Sequence, residues 1–294
     1  MTAPVQPNSP MPLDRTEIDY PAVVANLLDS LLRVPEHRAE IEYLQHRLSV
    51  SREEIIAAWL FYDLSITSYS NEAYSSTVLR LAMHLHNSLV GNWHDRRQAT
   101  VVEYLSRISP TTICEIGFGT PQRYVREFLG GSGTAMALCE YDTGSLEFAA
   151  TVLEHWRPDW ADSVTLLRHS MDDDPLPSGY SVYIFQDSIE HALRPTETLR
   201  SYVDGVPVGT HFIFSLPVEV DHPIPGHHIS WTEENAVIDW LSTAGLTVLD
   251  KEVICFRSGL DLHSHCLHPD TRQLVTLAVK KGDRQAVSPD TGRL

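Results

Sequence analysis

Between Pro21 and Trp93 the apolar residues recur at spacings of three and four: Val24, Leu27, Leu28, Leu31 and Leu32, then Ile41, Leu44 and Leu48, then Ile55, Ile56, Trp59 and Leu60. That is the period of helices burying one face, and no strand-like alternation interrupts it. Ser51 and Glu54 have the spacing of a capping box and are expected to start one helix, while Val34-Pro35 and the stretch 68–71 break others. Two more helices are predicted over 72–87 and 95–108, the second running into Ser109-Pro110.

After Pro110 the pattern changes to short apolar runs separated by helical stretches, as in a parallel sheet with crossover helices. Strands are predicted at 112–116, 134–140, 164–169, 181–186, 211–216, 247–256 and 274–280. Helices fit between them at 122–129, 145–155, 195–203 and 232–243, with none between the last two strands. Residues 1–19, with four prolines and little apolar content, are expected to be a disordered leader, and 282–294 a disordered tail, neither carrying chemistry.

Composition narrows the partners. The 294 residues carry 22 Lys and Arg against 39 Asp and Glu, a net charge of −17 that repels phosphate backbones and anionic membranes. No run approaches a membrane span, so a cytoplasmic enzyme with a small-molecule substrate, without nucleic acid or membrane, is the expectation. Homodimerisation is left open. Cys114, Cys139, Cys255 and Cys266 are widely spaced, three of them in apolar runs, and are expected to be buried thiols rather than disulfides.

The candidate chemistry begins at 113–120, Ile-Cys-Glu-Ile-Gly-Phe-Gly-Thr. A glycine turn between strand and helix lets the backbone pass close to a ligand. Gly117 and Gly119 are present, but Gln122 stands where a dinucleotide fingerprint has its third glycine. Glu115, at the strand end, is awkward beside a pyrophosphate and sensible beside a cation. Glu140 closes the second strand 23 residues after Gly117, where a carboxylate can accept hydrogen bonds from ribose hydroxyls.

These motifs resemble the class I S-adenosylmethionine-dependent methyltransferases of small-molecule type, over roughly 95–282. The resemblance implies an α/β fold: a Rossmann-like, seven-stranded, mostly parallel sheet with the final strand antiparallel, preceded by an N-terminal helical lid. It divides the chain into a lid and substrate region at 20–94 and a cofactor-binding domain at 95–281. By the same resemblance Glu115, at the turn of Gly117 and Gly119, holds the methionine end of S-adenosyl-L-methionine, Glu140 the ribose, and Ser170 and Met171 the adenine, with Tyr141 and Gln186 as further cofactor-binding residues. Asp172 to Asp174 read equally as a solvated turn. Pro121 departs from the family pattern, which has a third glycine there. It fits the first turn of a helix, where its missing N–H costs little.

Residues 186–195 follow the fourth strand and resemble the family segment acid-x-x-Glu-His-x-x-x-Pro, matching at Asp187, Glu190, His191 and Pro195. His227, His228 and Trp231 follow the fifth strand, where relatives place a substrate-side histidine and an aromatic. Asp187, Glu190, His191 and His228 are therefore the candidate catalytic residues, with Glu190 expected to orient His191 and a histidine acting as base where the acceptor must lose a proton. His222, His227 and His228 form one histidine cluster, and His263, His265 and His268 with Cys266 another. Some methyltransferases of 2-oxo acids hold substrate through such a metal, but without a fixed ligand geometry no metal is assigned. His84 and His86 lie two apart on a helix and should not act as a pair. Trp59, Tyr62, Tyr69, Tyr74 and Asn87 are candidate lid residues, with core packing the blander reading of the aromatics.

Three functions fit: methyl transfer to a small metabolite, in specialised metabolism; intramolecular cyclisation of the cofactor to azetidine-2-carboxylate with release of methylthioadenosine; and a non-catalytic cofactor-binding scaffold.

Overall fold

The computed structural model describes residues 19–65, 76–89, 93–129, 133–219, 226–255 and 272–282, and among these described residues five helices precede the first strand. They are α1 (Tyr20–Leu31), α2 (Pro35–Leu48), α3 (Arg52–Ser65), α4 (Thr77–Ser88) and α5 (Trp93–Ile108). The predicted capping box is formed: Ser51 Oγ accepts from the Glu54 N–H at 3.2 Å, and the Ser51 N–H donates to Glu54 Oε2 at 2.8 Å. Pro35 opens α2, and Ser49, at φ 54°, closes it in the left-handed region.

The sheet contains β1 (Thr112–Ile116), β2 (Ala135–Glu140), β3 (Val164–Arg168), β4 (Val182–Gln186), β5 (His211–Val218), β6 (Leu246–Cys255) and β7 (Arg272–Lys280), in the order β3-β2-β1-β4-β5-β7-β6. All neighbours are parallel except β7, which runs antiparallel between β5 and β6. The crossover helices are α6 (Arg123–Phe128), α7 (Thr143–Trp156), α8 (Pro195–Asp204) and α9 (Glu234–Thr243).

Alternate residues of each central strand feed two apolar layers. Cys114, Ile116, Phe185 and Phe214 pack under Leu199 and Tyr202 of α8 and Leu241 of α9. Ile113, Leu138 and Ile184 pack under Val101 and Leu105 of α5, Tyr124 of α6 and Ala149 of α7. Burial on both faces explains why these strands read as unbroken apolar runs. A third layer joins α1 to α4 through Val24, Leu28, Ile41, Leu44, Ile55, Trp59, Leu81 and Leu85, and seats them on Phe148 and Val152 of α7. Trp59 is thus core and lines no lid.

Three expectations are corrected. β5 continues through Pro217 to Val218, because its ladder with β4 ends at Ser215 and the lost N–H breaks no bond there. Pro121 precedes α6 rather than entering its first turn, since Gln122 is the extended N-cap residue. Cys255 is exposed at the end of β6, whereas Cys114 and Cys139 are buried thiols with sulfurs 3.5 Å apart. Among the described residues no helix is long and apolar enough to cross a membrane. The break at 68–71, the Tyr62, Tyr69 and Tyr74 side chains, His222, the 263–268 cluster and all but the innermost residues of the leader and tail lie outside the described residues.

Candidate functional site

Strand order reverses between β1 and β4, which opens a crevice at their carboxyl ends. The glycine turn forms its rim. Gly117 has φ 70° and Gly119 φ 61°, conformations that glycine adopts without a Cβ penalty. A Cβ at Gly117 would lie 2.7 Å from Ser188 Cβ, so the loop after β4 is seated directly on the turn, while nothing lies within 4 Å of a Cβ at Gly119. The buried Phe118 side chain pins the turn to the apolar layer beneath it.

Below the turn lies a polar floor. Glu115 is fully buried and accepts from Tyr124 Oη at 2.6 Å and from Gln186 Nε2 at 2.8 Å. Gln98 of α5 donates in turn to the side-chain oxygens of Gln186 and Gln122, each at 3.0 Å. Burial pushes the Glu115 carboxyl up to about 7, against the opposing pull of its two hydrogen-bond donors. Thr120 Oγ1, Ser188 Oγ and Gln98 Oε1 surround this floor as buried polar atoms with no hydrogen-bond partner. Buried polar groups ordinarily have partners, so this concentration marks a place where a polar ligand completes the set.

At the end of β2, Glu140 accepts from the Gly119 N–H at 3.0 Å and from the Tyr141 N–H at 2.8 Å, clamping the turn to the neighbouring strand. Burial raises its pKa. Tyr141 is exposed, with the Arg168 guanidinium over its ring. Met171 lies beside the turn, its Cε 3.7 Å from a Cβ at Gly117. Ser170 is tied into a local turn by Asp173 and Asp174, the solvated reading of that acidic run. From the helical region Arg80 reaches in, bonding Ser145 Oγ at 3.0 Å and pairing with Asp142, which also caps α7.

The loop after β4 is fixed from several directions. Asp187 sits in the left-handed region at φ 48°, gripped by Arg97 of α5 and by Gln273 at the start of β7. Gln273 can reach it because an antiparallel strand begins where its parallel neighbours end. Ile189–His191 form a short 3-10 turn. Glu190 is fully buried and no side-chain donor reaches its carboxyl, with only the backbone N–H groups of Ser188 and Glu190 pulling against the burial. Burial, with Asp187 adding to it, holds its pKa well above the carboxylate range. His191 Nδ1 bonds the Gly226 carbonyl at 3.1 Å, which fixes that edge of the ring. Burial, then the neighbouring His227, lowers its pKa to about 4. His228 is exposed, and its backbone N–H donates to the Glu190 carbonyl at 2.8 Å. The histidine turned inward is His227, whose Nδ1 lies 2.5 Å from Glu219 Oε1 and whose ring meets that of His191 edge-on.

The structure thus gathers Glu115, Gly117, Gly119, Glu140, Gln186 and Asp187 at one edge, with Met171 beside them and Glu190 and His191 in the adjoining loop. Sequence reasoning missed Arg80, Arg97, Gln98, Glu219 and Gln273. Arg80 alone left a local signal, as a charge inside the apolar run 78–83. His84 bonds Glu40 at 2.8 Å, whereas His86 meets the ring of His94, so the two do not act as a pair.

No protein-family model matches the chain, and no curated protein matches its sequence. Solved structures do. An O-methyltransferase family protein from Burkholderia thailandensis is 13% identical and superposes with a TM-score of 0.53, covering 78% of this chain and 72% of that one. The cyclase SpnF is 14% identical, with a TM-score of 0.52 over 64% of this chain and 80% of its own. With the observed strand order, these likenesses give the chain the Rossmann-like methyltransferase fold that its motifs resemble.

Proposed function

We propose that this chain is a cytoplasmic enzyme of specialised metabolism that binds S-adenosyl-L-methionine at the carboxyl edge of β1, β2 and β4 and transfers its methyl group to a small metabolite. The observation that carries the reading is the ring of unpartnered buried polar atoms, Thr120 Oγ1, Ser188 Oγ and Gln98 Oε1, around a positive-φ glycine turn flanked by two strand-end carboxylates. A ligand with a cationic amino-acid end and a ribose suits that set. Glu115 supports the cationic end by charge and by fixing Gln186. Gly117 and Gly119 let the backbone come close, Glu140 accepts from the ribose hydroxyls, and Tyr141, Ser170 and Met171 flank the adenine. Residues 95–281 form the cofactor-binding domain, and 20–94 the lid and substrate region.

When bound, the cofactor supplies a methyl group already activated by its sulfonium. The protein's work is then alignment and exclusion of water. Asp187, held by Arg97 and Gln273, keeps the loop after β4 in one conformation facing the acceptor. Where the acceptor must lose a proton, His191, at about 4, accepts it only weakly, and the exposed His228 is the candidate base. Glu190 and His191 shape the acceptor side.

A second reading keeps the site and changes the reaction. SpnF is named a cyclase and shares the fold, which is therefore not tied to methyl transfer. Intramolecular cyclisation would yield azetidine-2-carboxylate and methylthioadenosine, and a scaffold would bind the cofactor without turnover. Calorimetry with S-adenosylmethionine should show binding that weakens at least tenfold in Glu140→Ala; unchanged affinity removes the ribose role. Mass spectrometry after incubation with the cofactor alone should show no methylthioadenosine above background, and its accumulation selects cyclisation instead.

A further inference from the structure

Beside the proposed cofactor edge, three side chains from two segments converge on one point. Glu190 and His191 come from the short turn after β4, and His227 from the segment leading into α9. One ligand atom from each of the three lies within 4.8 Å of the other two. Backbone bonds hold the elements together: the Glu219 N–H donates to the Trp231 carbonyl at 2.7 Å, and the His228 N–H to the Glu190 carbonyl at 2.8 Å.

The hydrogen bonds on the two imidazoles have a common sense. His191 uses Nδ1 toward the Gly226 carbonyl at 3.1 Å, and His227 uses Nδ1 toward the Glu219 carboxylate at 2.5 Å. An acceptor at Nδ1 fixes the proton there and leaves the lone pair on Nε2, which is how metal-bound histidines are usually oriented. Glu190 supplies the third observation. Its carboxyl is fully buried and no side-chain donor or cation reaches it, with only the backbone N–H groups of Ser188 and Glu190 nearby. A carboxyl buried in this way ionises readily only where a cation meets it. Arg97, which pairs with the adjacent Asp187, makes no ion pair with Glu190.

We propose that Glu190, His191 and His227 bind a first-row divalent transition metal, with Glu219 and the Gly226 carbonyl orienting the two histidines. Two imidazoles and one carboxylate are the donor set of catalytic zinc and of non-haem iron(II) sites, which keep open positions for substrate. Donors around a tetrahedral zinc stand about 3.3 Å apart, so closure from the observed spacing needs side-chain rotations on the order of 1–1.5 Å. The cluster lies in the loop that is seated on the glycine turn through Ser188, which suits an oxygen-donor acceptor held beside the methyl donor. The site is independent of the acceptor's identity and leaves His228 as the proton acceptor.

The test uses the full chain purified without an affinity tag and stripped by a chelator, then titrated with Zn2+ and, for its visible d–d spectrum, Co2+. One equivalent should bind, with the spectrum of a four- or five-coordinate site. Glu190→Gln and the double variant His191→Ala/His227→Ala should lose that spectrum. Glu219→Gln should weaken binding about 10–100-fold, because it exchanges the charged acceptor of the orienting bond for a neutral amide oxygen. Circular dichroism and S-adenosylmethionine calorimetry on each stripped variant separate loss of metal from loss of fold and from failure of the cofactor reading. Glu190→Gln, isosteric with the native side chain, keeps the test open if the double variant is unstable. The proposal is overturned if the wild type binds no metal, or if the variants retain wild-type affinity and spectrum, which would assign the ion to other ligands such as the histidines at 263–268.

Discussion

Replacing Glu115 with Gln removes one ionisable group from the floor beneath the glycine turn while keeping its shape. The Tyr124 hydroxyl can rotate to accept from the new amide, and Gln186 can continue to donate to its oxygen. In the native chain burial holds this carboxyl at about 7, against 4.5 for the free side chain. Between those values the folded state carries more protons than the unfolded one, so stability falls as pH rises through the window and is level above it. At 1.36 kcal/mol per unit the loss comes to roughly 3 kcal/mol. The Gln variant lacks this term, so its stability relative to wild type should climb by roughly that amount between pH 4.5 and pH 7.5. Urea unfolding followed by circular dichroism, at half-unit pH steps, measures both proteins. Glu140 and Glu190, also raised by burial, are present in both and cancel in the difference. A difference constant to within about 0.5 kcal/mol across the window would refute the assignment of a charge-starved site at Glu115.

Two further outcomes follow from the geometry. Gly117→Ala and Gly119→Ala both place a Cβ at positive φ, at a cost of about 1–2 kcal/mol, but only the first drives it onto Ser188. Thermal unfolding should rank Gly117→Ala lower by at least about 1 kcal/mol, and equal costs would show that the turn and the β4 loop are not in register. Arg80→Ala should destabilise the chain by roughly 2–3 kcal/mol, less than a fully enclosed pair because Asp142 is partly solvated. Arg80→Lys should not restore it, since a single ammonium does not reproduce the fork that spans Ser145 and Asp142; full rescue by Lys in denaturant titrations would contradict this.

Much of the scaffold was legible because it is specified locally. The central strands bury both faces and so read as apolar runs, Ser51 and Glu54 sit three residues apart and cap each other, and Gly117 and Gly119 take the backbone angles their residue type permits. The site was legible only in part. Arg97 and Asp187 are 90 residues apart, and Gln273 lies 86 beyond Asp187, so no local window connects them. His227 and His228 are adjacent and chemically identical, yet one turns inward and the other outward. That choice is made by the backbone bond from His228 to Glu190 and by the carboxylate of Glu219, neither of which a periodicity can see. Pro121 was read from the helix-start preference, whereas the extended angles of Gln122 moved the start past it.

The antiparallel placement of β7 also sets an order in time. A chain leaving the ribosome exposes the glycine turn, the second strand and the loop after β4 long before Gln273 emerges. Until then Asp187, in an unfavourable backbone conformation, lacks the Gln273 bond and relies on Arg97 and on its backbone bond to Ser215. The last strand to be synthesised therefore locks a loop made some 80 residues earlier, and the nascent chain completes its reactive edge only as the sheet itself is finished.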